Sequence, residues 1–366
     1  MKIKCQGLEL SETVSKVIKA LPIKRVNPIL DCVKITAKND ELILLATDLD
    51  LWIEKRIKAN VLLEGEIVVP GKIFAEYCKK IEEEEIELDG TEKNRLKIRY
   101  LDSEVSLSCG EVGEYPELKK VSEEKFFKVG KKDFRELINK IIFNVATDES
   151  RPPLKGCCLN IKGNVLEGVA SDGYRLALAT VNIENNEIEE KIVVPSRSML
   201  EMSRLIEDDD SEIALSFEKH YIMLDLGHTK VVTRLIADNY IAYERIIPSE
   251  FTTEVVVDKK QFENAIDRVS LISRNEKKSY VKMEVGENQV LLKAESETGE
   301  INEKVQIALK GKDIVIAFNS KYIIDAMRAI QDQYITLNFT SPSAPGIIKG
   351  QDKSWLYLIL PLRVIG

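Results

Sequence analysis

Histidine is nearly absent from this 366-residue sequence, with only His220 and His228 present. The six cysteines, Cys5, Cys32, Cys78, Cys109, Cys157 and Cys158, form no CxxC pair. A structural zinc site needs clustered Cys or His, so none is expected. Cys157 and Cys158 are vicinal inside an apolar, strand-like run. Reduced, half-buried thiols in a reducing compartment are therefore expected. Long apolar runs are missing as well. Stretches such as Ile246 to Pro248 and Leu358 to Leu362 fall far short of a membrane span. Lys2 and Lys4 are followed by no apolar signal core, which leads to the expectation of a cytoplasmic protein. No P-loop, GxSxG, HExxH or Rossmann glycine pattern occurs. The expectation is a chain that is not an enzyme and uses no cofactor and no metal.

What is present is length, charge and repetition. A chain of 366 residues is long for one core and points to two or three domains. Its net charge of -8, taken alone, argues against a polyanionic partner. Three element types recur along it. Amphipathic helices are expected where Val14, Val17, Ile18 and Leu21, then Phe134, Leu137, Ile138 and Ile141, then Phe262, Ala265, Ile266 and Val269 mark one apolar stripe each. A second helix type leads with Phe74, Met199 and Ile323, offset by 125 and 124 residues. Paired strands are expected in ELILLATDLDLWIEKRI, NVLEGVASDGYRLALATV and QVLLKAESETGEINEKV, where Ala46, Ala170 and Ala294 recur every 124 residues. Such a period is too long for solenoid repeats and suits whole domains. The expected fold class is α+β, with three similar domains over residues 1–127, 128–252 and 253–366. The junctions read as strands running straight into the next helix, so the domains should be rigidly docked.

Charge is distributed unevenly. The six expected helices, residues 8–25, 70–81, 129–144, 195–205, 257–270 and 318–330, carry +8 together, which leaves -16 for the rest. Basic helices on one surface and acidic sheets on the other would let one face hold a polyanion. Helices inside and antiparallel sheets outside, repeated with rotation, make a curved wall that self-association could close into a ring.

The segment RPPLKGCCLNI…LEGVASDGYRLAL, residues 151–178, closely resembles the most characteristic stretch of the bacterial beta sliding clamps. So do VVTRLIADNYIAYERIIP at 231–248 and the ending WLYLILPLRV at 355–364. FNSKYIIDAMRAI and FTSPSAPGIIK are similar to the third clamp domain. The resemblance runs the full length, in order. It implies the DNA clamp fold, each chain forming half of a ring, and three surfaces. A peptide pocket between the second and third domains would be walled by Leu154, Ser171, Gly173, Tyr174, Arg175, Leu176, Ile241, Arg245, Ile246, Leu358, Ile359, Leu360, Pro361, Leu362 and Arg363. There Gly173 could take a turn conformation closed to other residues, and Arg175 and Arg245 could orient a peptide's polar ends. DNA would face Lys24, Arg25, Arg151 and Arg197. A head-to-tail dimer would join Val105 and Leu107 to Ile272 and Ser273. The implied partners are duplex DNA without sequence preference, a second copy of the chain as a homodimer, the DNA polymerase III alpha subunit, a clamp loader, and repair polymerases and ligase. No membrane is implied. The chain departs from the family pattern at Tyr174, where His is common, at Ile241, where Pro is usual, at the polar Ser273, and in continuing through Ile365 and Gly366.

Two other readings compete. A metal-dependent enzyme could use Asp48, Asp50 and Asp172, the first and last of which hold equivalent repeat positions. The third copy has Ser296 there, and a turn-forming Asp accounts for the recurrence more simply. The runs Glu82 to Glu85 and Asp208 to Asp210 read as solvated loops. A scaffold that never touches DNA is the other competitor.

Overall fold

Each apolar stripe becomes a helix entered directly from a strand. The computed structural model describes residues 1–24, 27–82, 84–148, 150–185, 188–272, 279–351 and 354–363. Among these residues there are six α-helices: α1 (Gly7–Val17), α2 (Gly71–Cys78), α3 (Lys131–Ile141), α4 (Ser196–Leu205), α5 (Lys259–Ser270) and α6 (Ser320–Ala329). Capping is visible where the sequence offers it. Asp258 accepts from the Gln261 N–H at the start of α5, and Asn319 accepts from the Lys321 N–H at the start of α6. The first helix is shorter than its stripe. It stops at Val17 and tightens into a 3-10 turn, Ile18–Ala20. Pro22 explains this, because it holds Leu21 in extended backbone at φ -64 and ψ 148. Lys24 therefore lies beyond the helix, in an exposed bend.

The expected strand pairs form as antiparallel hairpins: Glu41–Thr47 with Leu51–Lys58, Val165–Ser171 with Arg175–Asn182, and Gln289–Ser296 with Gly299–Gln306. The strand–helix order repeats three times along the chain. Contacts nevertheless gather into two compact units. The first holds Met1–Lys131, Glu184–Asn186 and Glu201–Leu235, and the second holds Lys132–Ile183, Glu187–Leu200 and Ile236–Gly366. The expected middle domain is shared between them because each unit is built on one nine-stranded sheet that crosses an expected junction. In the first unit Thr229–Arg234 pairs with Leu51–Lys58. In the second Arg175–Asn182 pairs with Trp355–Ile359. A five-stranded sheet completes the first unit and a four-stranded sheet the second.

Each large sheet has its own core. Leu45, Trp52, Val68, Tyr115, Met223 and Val232 pack together in the first unit, and Cys158, Val169, Leu176, Tyr243, Ile347 and Leu358 in the second. Among the described residues no helix is long and apolar enough to cross a membrane.

The cysteines are all unpaired as thiols, and Cys5, Cys78, Cys157 and Cys158 are fully buried rather than half-buried. Burial pushes the Cys5, Cys78 and Cys158 thiols up to about 12. Thiolate is the reactive form, so these groups should be inert at pH 8. Titrating the folded protein with a chromogenic disulfide should report only Cys32 and Cys109, the two partly exposed ones, and slowly. All six should react after unfolding.

Candidate functional site

The second hairpin builds the site. Asp172 turns the chain back: its Oδ1 accepts from the backbone N–H groups of Tyr174 at 2.9 Å and Arg175 at 3.1 Å. Gly173 sits at φ 89, a region that side chains rarely adopt, and a Cβ there would come within 2.9 Å of the Arg151 guanidinium. The turn presents Tyr174 to solvent at 64 % exposure. Beyond the sheet, the Leu360 N–H donates to the Tyr174 carbonyl at 2.9 Å, which brings the C-terminal segment alongside the turn.

A third wall comes from residues 241–246, held by a buried polar knot. The Tyr243 hydroxyl donates to Glu167 and accepts from the Asn160 amide at 2.8 Å. Lys191 pairs with Glu244 at 2.6 Å and lies over the Tyr243 ring. Burial, then the Glu167 carboxylate, raises the Tyr243 pKa well above its ordinary value, so the hydroxyl stays a donor.

Together these walls enclose a cleft of about 480 Å³, within the range of ligand sites. Of the residues expected in the pocket, Leu154, Ser171, Gly173, Tyr174, Arg175, Leu176, Ile241, Ile246, Leu358 and Leu360 line it. Arg245, Ile359, Pro361, Leu362 and Arg363 do not. Ile359 is the informative case. Successive strand residues face opposite sides of a sheet, so Leu358 faces the cleft while Ile359 is buried among Phe262, Phe318 and Phe339 on the other side. Arg245 and Arg363 are exposed outside the lining, and the Leu362 N–H is tied to the Ala317 carbonyl at 2.8 Å. Ile365 and Gly366 lie outside the described residues. Ala242 and Pro345 also line the cleft and had no signal in the spacing. Arg151, expected to face DNA, lines it too.

Arg175 has a different role from the expected one. Its guanidinium donates to Asp172 at 2.9 Å, Asp325 at 2.7 Å, the Phe143 carbonyl at 2.9 Å and the Tyr357 hydroxyl at 3.4 Å, and it stacks over the Tyr322 ring. Burial alone would lower its pKa. Tyr357 and the hydrogen-bonded carboxylates of Asp325 and Asp172 outweigh that and hold it above the ordinary arginine value. The side chain knots the turn to α6 and leaves little capacity to orient a peptide.

Elsewhere, Val105 and Leu107 lie half-buried on Ser103–Ser108, an outer strand of the five-stranded sheet. Ile272 is half-buried just after α5, and its Cδ1 lies 3.7 Å from where a Gly299 Cβ would stand, on the outer strand of the four-stranded sheet. Ser273 and Arg25 lie outside the described residues. Arg197 stands half-buried in the first turn of α4. Part of the helix charge is met locally: Lys131 pairs with Asp209, Arg204 with Glu201, Lys259 with Glu263 and Arg268 with Glu303. The Asp48 and Asp172 carboxylates both hold turns, Asp48 accepting from Asp50 and Leu51, and Ser296 does the same for Thr298 in the third copy. That recurrence is turn chemistry rather than a metal-ligand set.

Known proteins agree along the whole chain. The DNA polymerase III beta subunit N-terminal, central and C-terminal domain families match residues 1–119, 128–241 and 244–363. The beta sliding clamp of Staphylococcus epidermidis is 30% identical over 357 residues, covering 94% of this chain and 95% of its own; that of Staphylococcus aureus matches equally. The crystal structure of the Bacillus subtilis DNA polymerase sliding clamp superposes with a TM-score of 0.96 at 28% identity, covering 100% of both chains. The Thermotoga maritima DNA polymerase III beta subunit does so with 0.93 at 30% identity, again over 100% of both.

Removing Arg175 would strand two largely buried carboxylates. Arg175→Ala should cost roughly 3 kcal/mol of stability, read as a lowered denaturant midpoint. An unchanged midpoint would mean that the Asp172–Arg175–Asp325 knot carries no weight.

Proposed function

The chain belongs to the DNA polymerase III beta subunit family, the bacterial sliding clamps, and on that footing we propose that its cleft captures short apolar peptides of the proteins it tethers to DNA. Its three-domain clamp fold serves processive DNA replication. The observation that carries the peptide reading is an unpaired apolar patch: Tyr174, Ile246 and Leu360 are 64 %, 47 % and 40 % exposed around one concave site. Contiguous exposed apolar surface on a single chain marks an interaction site. Covering each such side chain is worth on the order of 1 to 2 kcal/mol, so the three together supply roughly 3 to 6 of the about 8 kcal/mol that a micromolar peptide needs, the rest coming from the floor and rim contacts. Arg151 at the rim is assigned to the peptide's polar groups rather than to DNA.

Two copies join head to tail into a closed ring. Two open sheet edges support this, Ser103–Ser108 with Val105 and Leu107, and Gly299–Gln306 with Ile272 beside it. Unpaired strand edges are ready templates for another chain. Lys24, Arg25 and Arg197 are the proposed phosphate contacts, sequence-independent and weakened by salt. Topology, not affinity, keeps the ring on DNA, and a partner held at the cleft gains a high effective concentration at the template. The polymerase alpha subunit, the loader, repair polymerases and ligase are the proposed partners, in the cytoplasm where the chromosome lies. The chain itself catalyses nothing in this scheme, and a loader supplies the work of opening.

Ring retention is the direct test. Protein loaded on nicked circular plasmid should co-elute with DNA in gel filtration and be lost on linearisation; retention on the linear form sinks encirclement. For the cleft, deleting residues 360–366 should weaken binding of a short peptide with Leu and Phe anchors by at least about tenfold, with the mass in solution unchanged. Undiminished affinity would move the site elsewhere.

A further inference from the structure

The first unit repeats the cleft's hairpin turn and its tie to the neighbouring strand in matching hydrogen bonds. Asp48 N–H donates to the Leu51 carbonyl as Asp172 N–H does to Arg175, both at 3.3 Å. Leu49 N–H donates to the Thr47 hydroxyl as Gly173 N–H does to Ser171. Arg234 N–H donates to the Asp50 carbonyl at 2.8 Å as Leu360 N–H does to Tyr174 at 2.9 Å. Trp52 lies opposite Val232 across the sheet as Leu176 lies opposite Leu358. Even the left-handed residue recurs, Leu49 at φ 75 for Gly173 at φ 89.

The frames differ in what fills them. Trp52 is only 5 % exposed, packs edge-on against Tyr221 with ring centroids 6.1 Å apart, and Tyr221 is in turn covered by Lys119. The indole Nε1 of Trp52 is buried with no hydrogen-bond acceptor among the described residues. An indole seated for optimal packing of its own chain normally finds an acceptor. The unmatched Trp52 donor leaves room for an acceptor from outside the chain, such as a peptide carbonyl. Leu49, in a conformation that costs an L-residue strain, places an exposed side chain at the turn position where Gly173 has none.

We propose that the first unit holds a second, closed copy of the peptide cleft, plugged by Trp52 and Tyr221, and that the residue at this strand position, Leu176 or Trp52, decides which frame binds. The inference rests on reading the second unit's cleft as a peptide site. Each chain then carries one open site because of side-chain bulk, not because of backbone geometry.

Calorimetric titration with the same Leu- and Phe-anchored peptide tests it. The unaltered protein should bind one peptide per chain; none bound would overturn the reading of the cleft itself. The variant L49G/W52L/Y221A, checked for folding by its melting curve, should bind two. One bound peptide in a folded variant overturns the plug while leaving the first cleft standing. If the triple variant does not fold, Trp52→Leu alone, titrated to higher peptide concentration, should show the second, weaker site, and its absence there is equally decisive. Leu176→Trp should lower affinity at the open cleft by at least about tenfold, and unchanged binding in that folded variant also overturns the proposal.

Discussion

The second unit depends on one antiparallel register, in which Arg175 faces Ile359, Leu176 faces Leu358 and Ala179 faces Trp355. Because side chains alternate across a strand, this register decides everything around it. It sets Leu176 and Leu358 together on the cleft floor, sends Ile359 into the core behind, and delivers Leu360 to the Tyr174 carbonyl. A slip of one residue would exchange the cleft wall for the core wall. The register is held by more than backbone pairing, since Arg175 at the strand's start reaches Asp325 on α6 and the Tyr357 hydroxyl on the partner strand.

That arrangement separates support from contact. Buried polar groups hold the frame: Arg175 with Asp172 and Asp325, and Tyr243 with Asn160 and Glu167. They are hydrogen-bonded throughout, as most buried polar groups are. The residues left for a partner are apolar and exposed, Tyr174, Ile246 and Leu360. A site with a rigid, satisfied frame and a hydrophobic mouth suits capture of many different peptides with one geometry, because little ordering entropy is lost on binding.

On the proposed reading, the repeated frames account for one open site in a triplicated architecture. The turn that begins at Asp48 or Asp172 is made by an Asx side chain and survives wide change in its neighbours. Function then follows from substitutions within the frame. Gly173 for Leu49 opens a rim, and Leu176 for Trp52 empties a floor.

Local chemistry was legible in the residue string. The spacing of apolar positions placed the six helices and three hairpins of the described residues, the 124-residue recurrence exposed the triplication, and Asp48 and Asp172 were readable as turn formers. These properties depend on residues within a few positions of one another, which periodicity records. The tertiary structure alone decided that Arg175 is knotted to Asp325, 150 residues away, instead of free to meet a peptide. It decided that Arg151 lines the cleft, that Ile359 turns away from it, and that the sheets join the thirds of the chain into two contact units. Periodicity says that a strand has two faces. Which face meets which partner follows from pairing between distant strands, and that is a property of the folded chain.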